Sequence, residues 1–322
     1  MSMVHVSTAE RGRLTQSAAL ASVAVAAILL GLKAVALWRT ESVAVLGSLA
    51  DTSLDLVASL VTLMGVRWAA QPADEGHRFG HGKAEALSAL FQVTLITVAA
   101  LGLAWESIHR FGGDHRTQAA ETGIGVSVIA IVLSLALVAY QKRVIARTGS
   151  LAIGTDNIHY KSDLYLNLSV IVALVLDRFL NLTGVDALFG LGIAVWLARS
   201  AWSSASEAVD SLMDKEWSVE ERRHFLEVAS RHPQLYNIHD MRTRSSGSHR
   251  FVQFHVMVDP EMTVREAHVV MDEIEAGLAK EFPGVEILIH PDPLGHVEPE
   301  GDPLRGVEAQ ALLSGANPGE KA

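Results

Sequence analysis

The sequence predicts a membrane all-α domain of six transmembrane helices followed by a small cytoplasmic α+β domain. Three observations carry this. Apolar residues make up 49% of the 322 residues and fall in six long blocks. About 20 such residues suffice to cross the hydrocarbon of a bilayer. After Asp214 the pattern changes to short amphipathic segments separated by turn residues. Carboxylates and imidazoles also lie inside two of the apolar blocks, where they are costly and mark function by default.

In order, residues 1–15 are polar and carry Arg11 and Arg13. The first apolar block, Ser17–Trp38, is too long for the core of a secretion signal and reads as a retained span. The other spans are Ser42–Ala69, Ala84–Ile108, Gly123–Tyr140, Ile153–Leu176 and Ala187–Ala205. Six spans put both ends of the chain on one side. The loops on that side carry Arg11, Arg13, Arg67, Arg78, Lys83, Lys142, Arg143 and Arg147, against Arg39, Arg110, Arg116 and Arg178 opposite. The denser basic set marks the cytoplasmic side, so both termini are expected in the cytoplasm.

Beyond the spans, Ser218–Glu221 is a capping-box pattern opening a helix that ends near Pro233. Asn237–Arg244 and Phe251–Val258 read as a hairpin across Ser245–Ser248. Thr263–Glu266 opens a second helix to Phe282, and Val285–His290 is a last strand. The domains are therefore a cytoplasmic N-terminal segment (1–15), a transmembrane transport domain (16–214), a cytoplasmic domain (215–293) and a Gly-, Pro- and Glu-containing tail, 294–322, expected to be disordered.

The formal net charge of −10 argues against nucleic acid as a partner. With no cysteine, any metal site must use His, Asp and Glu. Those ligands suit Zn²⁺, Fe²⁺, Mn²⁺ or Co²⁺ better than Cu⁺.

The strongest pattern is Asp51 with Asp55 in the second span and His159 with Asp163 in the fifth, each pair spaced i, i+4. That spacing puts both members on one helix face. Three isolated carboxylates at membrane depth would cost about 8–10 kcal/mol, at roughly 2.5–3.5 each. A divalent cation shared by two helices offsets that cost. Asp156, a turn before His159, reads as an interfacial group or a partner of the ligands. The loop between spans two and three offers Asp74, His77 and His81 on a Gly-rich segment. The cytoplasmic domain carries His239, His255, His268, His290 and Asp292 on different elements, with His224, His232, His249 and His296 assigned to the surface. No His-Glu-x-x-His pattern occurs, and no enzyme activity is expected.

The stretches SLADTSLD, HRFGHGKAEAL, HYKSDLYLN, HDMRTRSSGSHRFVQFHV and IHPDP together resemble the cation diffusion facilitator family over residues 12–293. The resemblance implies a homodimer of six-helix protomers with a metallochaperone-like, ferredoxin-like cytoplasmic domain. It implies a transport site of Asp51, Asp55, His159 and Asp163, a loop site of Asp74, His77 and His81, and a binuclear cytoplasmic site of His239, His255, His268, His290 and Asp292. Lys83 and Asp214 match a charge pair that holds the dimer at the membrane surface. Tyr160 falls where the family is expected to place an apolar gate residue. The implied activity is Zn²⁺/H⁺ antiport out of the cytoplasm across a bacterial inner membrane. Zn²⁺ would be both cargo and regulatory ion, with no organic cofactor. The alternatives are Fe²⁺, Cd²⁺, Co²⁺ or Mn²⁺ as cargo, or a membrane-bound metal sensor that binds without transporting.

Overall fold

The computed structural model describes residues 7–40, 43–110, 124–180, 185–232, 236–295 and 312–313. They belong to two compact units, Met1–Leu212 and Met213–Ala322.

Among the described residues, the first unit holds six helices: α1 (Thr8–Thr40), α2 (Val43–Ala69), α3 (Ala84–Arg110), α4 (Ile124–Thr148), α5 (Leu151–Leu180) and α6 (Val185–Leu212). Among the described residues, four stretches are long and apolar enough to cross a membrane: Thr8–Arg39, Ser48–Ala69, Ala84–His109 and Val128–Thr148. Helices α5 and α6 are 30 and 28 residues long but are not among these four. Asp156, Lys161 and Asp163 fall within two turns of α5. Four of the six expected spans thus stand on composition.

The helices outrun the apolar blocks. Helix α1 begins at Thr8 rather than near Ser17, and α4 continues past Tyr140 to Thr148. The added turns are polar and tied to one another. Arg11 Nε donates to the Thr148 carbonyl (2.8 Å) and Nη1 pairs with Glu85 (3.1 Å). Arg147 pairs with Glu10 (2.9 Å), and Ser150 Oγ donates to Glu85 Oε2 (2.6 Å). The starts of α1, α3 and α5 and the end of α4 therefore meet at one end of the bundle, as an up-and-down order requires. Small residues let the backbones approach, as is usual between membrane helices. A Cβ at Gly65 would strike the Ser88 side chain, pinning α2 to α3, and one at Gly190 would strike Ser107, pinning α6 to α3. Large apolar residues such as Leu54, Met64, Leu101, Trp105 and Val195 face outward.

The second unit holds α7 (Val219–Ala229), β1 (Tyr236–Ser246), β2 (His249–Val258), α8 (Val264–Glu281) and β3 (Val285–Pro293). Both predicted capping boxes form, Ser218 with Glu221 and Thr263 with Glu266. The sheet order is β1-β2-β3, with β1 and β2 antiparallel and β2 and β3 parallel. A parallel pair needs a crossover, and α8 supplies it. Along β2, Val252, Phe254 and Val256 point into a core with Phe225, Leu226, Ile274 and Leu278. His255 therefore lies on the opposite face.

The tail, expected to be disordered, lies mostly outside the described residues. Leu312, however, is 1% exposed within that same core, and Arg223 Nε donates to its carbonyl (3.0 Å). The periodicity of the tail gives no hint of this, because one side chain in a core leaves no pattern.

Candidate functional site

Among the described residues, three groups of His and carboxylate side chains bring ligand atoms within 4.8 Å of one another: Asp55, His159 and Asp163; Asp74, His77 and His81; His239, His255 and Asp292. Tetrahedral ligands about 2.0 Å from a Zn²⁺ ion sit roughly 3.3 Å apart, so these separations suit a shared ion.

The first group joins α2 to α5. His159 Nε2 lies 2.9 Å from Asp55 Oδ1 and 3.9 Å from Asp163 Oδ2. The i, i+4 spacing brings His159 and Asp163 to one face, as read from sequence. Asp51 stands one turn before Asp55 on an exposed part of α2 and is not in the group. Beside it, Lys33 of α1 donates to Thr52 Oγ1 (2.5 Å) and to the Ser48 carbonyl (3.2 Å). Lys33 is the charged residue inside the apolar block Ser17–Trp38. Tyr160, expected at a gate, is 2% exposed. Its hydroxyl donates to the Ser22 carbonyl (3.1 Å) and meets Ser59 Oγ (2.9 Å), bridging α1 and α2.

Asp156, read as an interfacial group or a partner of the ligands, lies inside the bundle. It is fully buried and takes hydrogen bonds from three other helices, through Ser22 (2.6 Å), Gln92 (2.9 Å) and Gln141 (2.6 Å). Its spacing from His159 gave its helix face but not these partners, which lie 15 to 134 residues away.

The second group is in the loop. Asp74 Oδ1 accepts from the backbone N–H of His77 (2.7 Å) and of Gly76 (2.9 Å), which fixes the carboxylate. The His77 backbone donor leads in holding its pKa below the ordinary carboxylate range. His81 Nδ1 must donate to the Pro72 carbonyl (3.2 Å), because a carbonyl only accepts. Its Nε2 lone pair then faces Asp74 Oδ2 at 3.3 Å. A lone pair aimed at a carboxylate calls for a cation or a proton between them.

The third group follows from strand register. His239 stands opposite His255 across β1 and β2, and His255 opposite His290 across β2 and β3. Register shifts in β1 flank His239, where Asn237 and Asp240 take positive φ (50° and 43°). Asp292 Oδ2 lies 2.8 Å from His255 Nδ1 and 3.3 Å from His239 Nε2. Here too Nδ1 of His239 donates to a carbonyl, that of Asn237 (2.8 Å), and leaves Nε2 as the ligand atom. Burial pushes the Asp292 carboxyl up, but the His255 hydrogen bond and the charges of His255, His290 and His239 hold its pKa below the usual range. His290 reaches Asp292 Oδ1 at 3.4 Å from an exposed position. His268 lies on α8, exposed and paired with Asp272 (3.7 Å), and is not brought to the group. Asp240 is an addition: its carboxylate lies 3.7 Å from His255 Nε2 while bound to Arg242 (2.8 Å). Lys83 donates to the Leu212 carbonyl (3.1 Å) in the first unit, and Asp214 belongs to the second unit, 4.0 Å from Arg244.

Comparison with known proteins adds to this geometry. Residues 19–213 match the cation efflux transmembrane domain, and residues 217–294 match the cation efflux protein cytoplasmic domain. The cation-efflux pump FieF of Klebsiella pneumoniae is 42% identical over 282 residues, covering 88% of this chain and 94% of the relative. That of Yersinia pestis strain Pestoides F is 41% identical over 288 residues, covering 89% and 96%. A solved metal-bound C-terminal domain of the CzcD transporter from Thermotoga maritima is 29% identical over 26% of this chain and 99% of that one, with a TM-score of 0.24. Similarity at that score carries no weight for the fold.

Proposed function

The chain belongs to the cation efflux, or cation diffusion facilitator, family, and from that premise we propose that it exports Zn²⁺ from the cytoplasm in exchange for protons. It is a metal transporter with a membrane helical domain and a cytoplasmic domain. The observation that carries the finer reading is the meeting of Asp55, His159 and Asp163 on two helices of the membrane domain. Two carboxylates and an imidazole make a borderline-to-hard donor set with oxygen and nitrogen only, suited to Zn²⁺.

In this reading all six helices span a bacterial inner membrane, with both termini cytoplasmic. Asp51 supplies the fourth ligand when α2 and α5 shift. Zn²⁺ binds with the imidazole neutral and the carboxylates ionised, so its entry displaces protons. Rocking of the helices exposes the site outward, where protons compete the metal off. Tyr160, which ties α5 to α1 and α2, acts as the gate by resisting or permitting that shift. The loop trio Asp74, His77 and His81 collects the ion. His239, His255, His290 and Asp292 bind regulatory Zn²⁺, with His268 completing the site in a homodimer, and Lys83 with Asp214 fastens that dimer at the membrane surface.

The test is metal flux into proteoliposomes under an imposed pH gradient, with Zn²⁺ offered first and Fe²⁺, Cd²⁺, Co²⁺ and Mn²⁺ next. Zn²⁺ movement that follows the proton gradient supports antiport. Movement of another ion but not Zn²⁺ changes the cargo, and binding without movement supports a membrane-bound sensor.

A further inference from the structure

One heavily bonded carboxylate in the membrane unit is not used by the proposed transport reaction. Asp156 sits fully buried on α5. Its Oδ2 accepts from Ser22 Oγ of α1 and from Gln141 Nε2 of α4, both at 2.6 Å, and its Oδ1 from Gln92 Nε2 of α3 at 2.9 Å. Gln92 also donates to Thr62 Oγ1 of α2 (2.6 Å). Every partner supplied by α1, α3 and α4 is a neutral hydroxyl or amide, and behind Gln92 α2 adds the Thr62 hydroxyl and the Ala58 carbonyl, both neutral. The nearest titratable groups are His159 and Tyr160 on its own helix. No cation touches the carboxylate among the described residues, and a buried carboxylate without one is costly as an ion.

The ring can hold either protonation state. Ser22 Oγ has one hydrogen and two acceptors in reach, Asp156 Oδ2 and the Ala18 carbonyl at 3.2 Å. With Asp156 ionised, that hydrogen goes to Oδ2. With Asp156 protonated, it turns to Ala18, and Ser22 Oγ accepts the acid proton while still taking the Gln141 bond (2.9 Å). Gln92 offers a second reversal. Its Oε1 is buried without a hydrogen-bond partner among the described residues, and rotating the amide would present it to Oδ1. Neither state leaves a bond to Asp156 unmade.

We propose that Asp156 is a proton-carrying residue of the exchange, protonated when the site between α2 and α5 is empty of metal and ionised when a divalent cation occupies it. This rests on the Zn²⁺/H⁺ reading above. Residues three apart on a helix are neighbours, about 5–6 Å between Cβ atoms. A dication held by His159 therefore favours the anion at Asp156, and the proton leaves to solvent. When the cation departs, the proton returns and Ser22 reverses. The Asp156 carboxylate is not itself a ligand.

The test is Zn²⁺ affinity of the detergent-solubilised full-length protein as a function of pH, for wild type and Asp156→Asn. The slope of log affinity against pH counts the protons released on binding. Asp156→Asn should still bind Zn²⁺ but lose about one proton from that slope, because an amide keeps the shape and carries no acid proton. An unchanged slope overturns the proposal and leaves antiport standing. A wild-type slope of zero overturns antiport and this proposal together. If Asp156→Asn fails to fold, the infrared difference spectrum of the wild type on adding Zn²⁺ decides. Loss of a protonated-carboxyl C=O band supports the proposal, and its absence refutes it.

Discussion

The trio in the membrane unit and the trio in the cytoplasmic unit use the same chemistry on different frames. Asp55, His159 and Asp163 come from two packed helices, and their side chains stay 14–34% exposed. His239, His255 and Asp292 come from three paired strands, with Asp292 only 9% exposed. Helices can slide or rock against each other, whereas strand register changes only by breaking a ladder of hydrogen bonds. The first frame suits an ion that must enter and leave by opposite doors. The second suits an ion that stays and reports.

Four measurements would break or sharpen that contrast, from the largest expected effect down. Even partners behind the ligands of a metal site are worth about 10–100-fold in affinity or activity, so losing a ligand in Asp163→Ala should lower Zn²⁺ flux by at least about 100-fold. Purified Asp163→Ala protein should still bind Zn²⁺ at the cytoplasmic trio, read by titration. Flux near the wild-type rate would break the contrast outright.

Leu312→Ala should lower the stability of the cytoplasmic unit by about 2–4 kcal/mol, the usual cost of emptying a buried leucine site. Chemical unfolding followed by fluorescence of Trp217, in the same core, would measure it. No loss would detach the tail from the fold.

Asp292→Asn should weaken Zn²⁺ binding at the cytoplasmic trio by about 10–100-fold while flux continues. The same variant tests pH. The pKa of Asp292 is lowered in the fold, so its contribution to stability is present above the ordinary carboxylate pKa, about 4, and is lost as pH falls through the lowered value. The unfolding midpoint of the metal-free wild type should drop on acidification below about pH 4, and less so in Asp292→Asn.

The smallest effect concerns α8, which carries β2 across to β3. Thr263→Ala removes the N-cap oxygen that accepts from Glu266 N–H and should cost about 1 kcal/mol without touching metal affinity. A change in Zn²⁺ affinity would mean that α8, and His268 on it, contributes to the site in solution.

Much of this was legible in the residues and some was not. The i, i+4 spacing foretold that His159 and Asp163 share a face, and the capping boxes at Ser218 and Thr263 marked both helices of the cytoplasmic unit. The two segments that read as a hairpin pair as β1 and β2. What spacing could not supply was register and partnership. The alignment of His239, His255 and His290 depends on irregularities in β1 that no local pattern announces. Asp51 shares the spacing of its partner pair, yet only Asp55 lies within reach of His159. Asp156 read as an interfacial group or a partner of the ligands, and its buried ring depends on side chains from three other helices.

The most direct measurement is the initial rate of Zn²⁺ uptake into proteoliposomes, under a fixed pH gradient, by the triple variant His239→Ala, His255→Ala, Asp292→Ala. Uptake that persists while its activation by cytoplasmic Zn²⁺ disappears is the expected result, and would separate the carrying site from the reporting one. Uptake lost as completely as in Asp163→Ala would contradict that division.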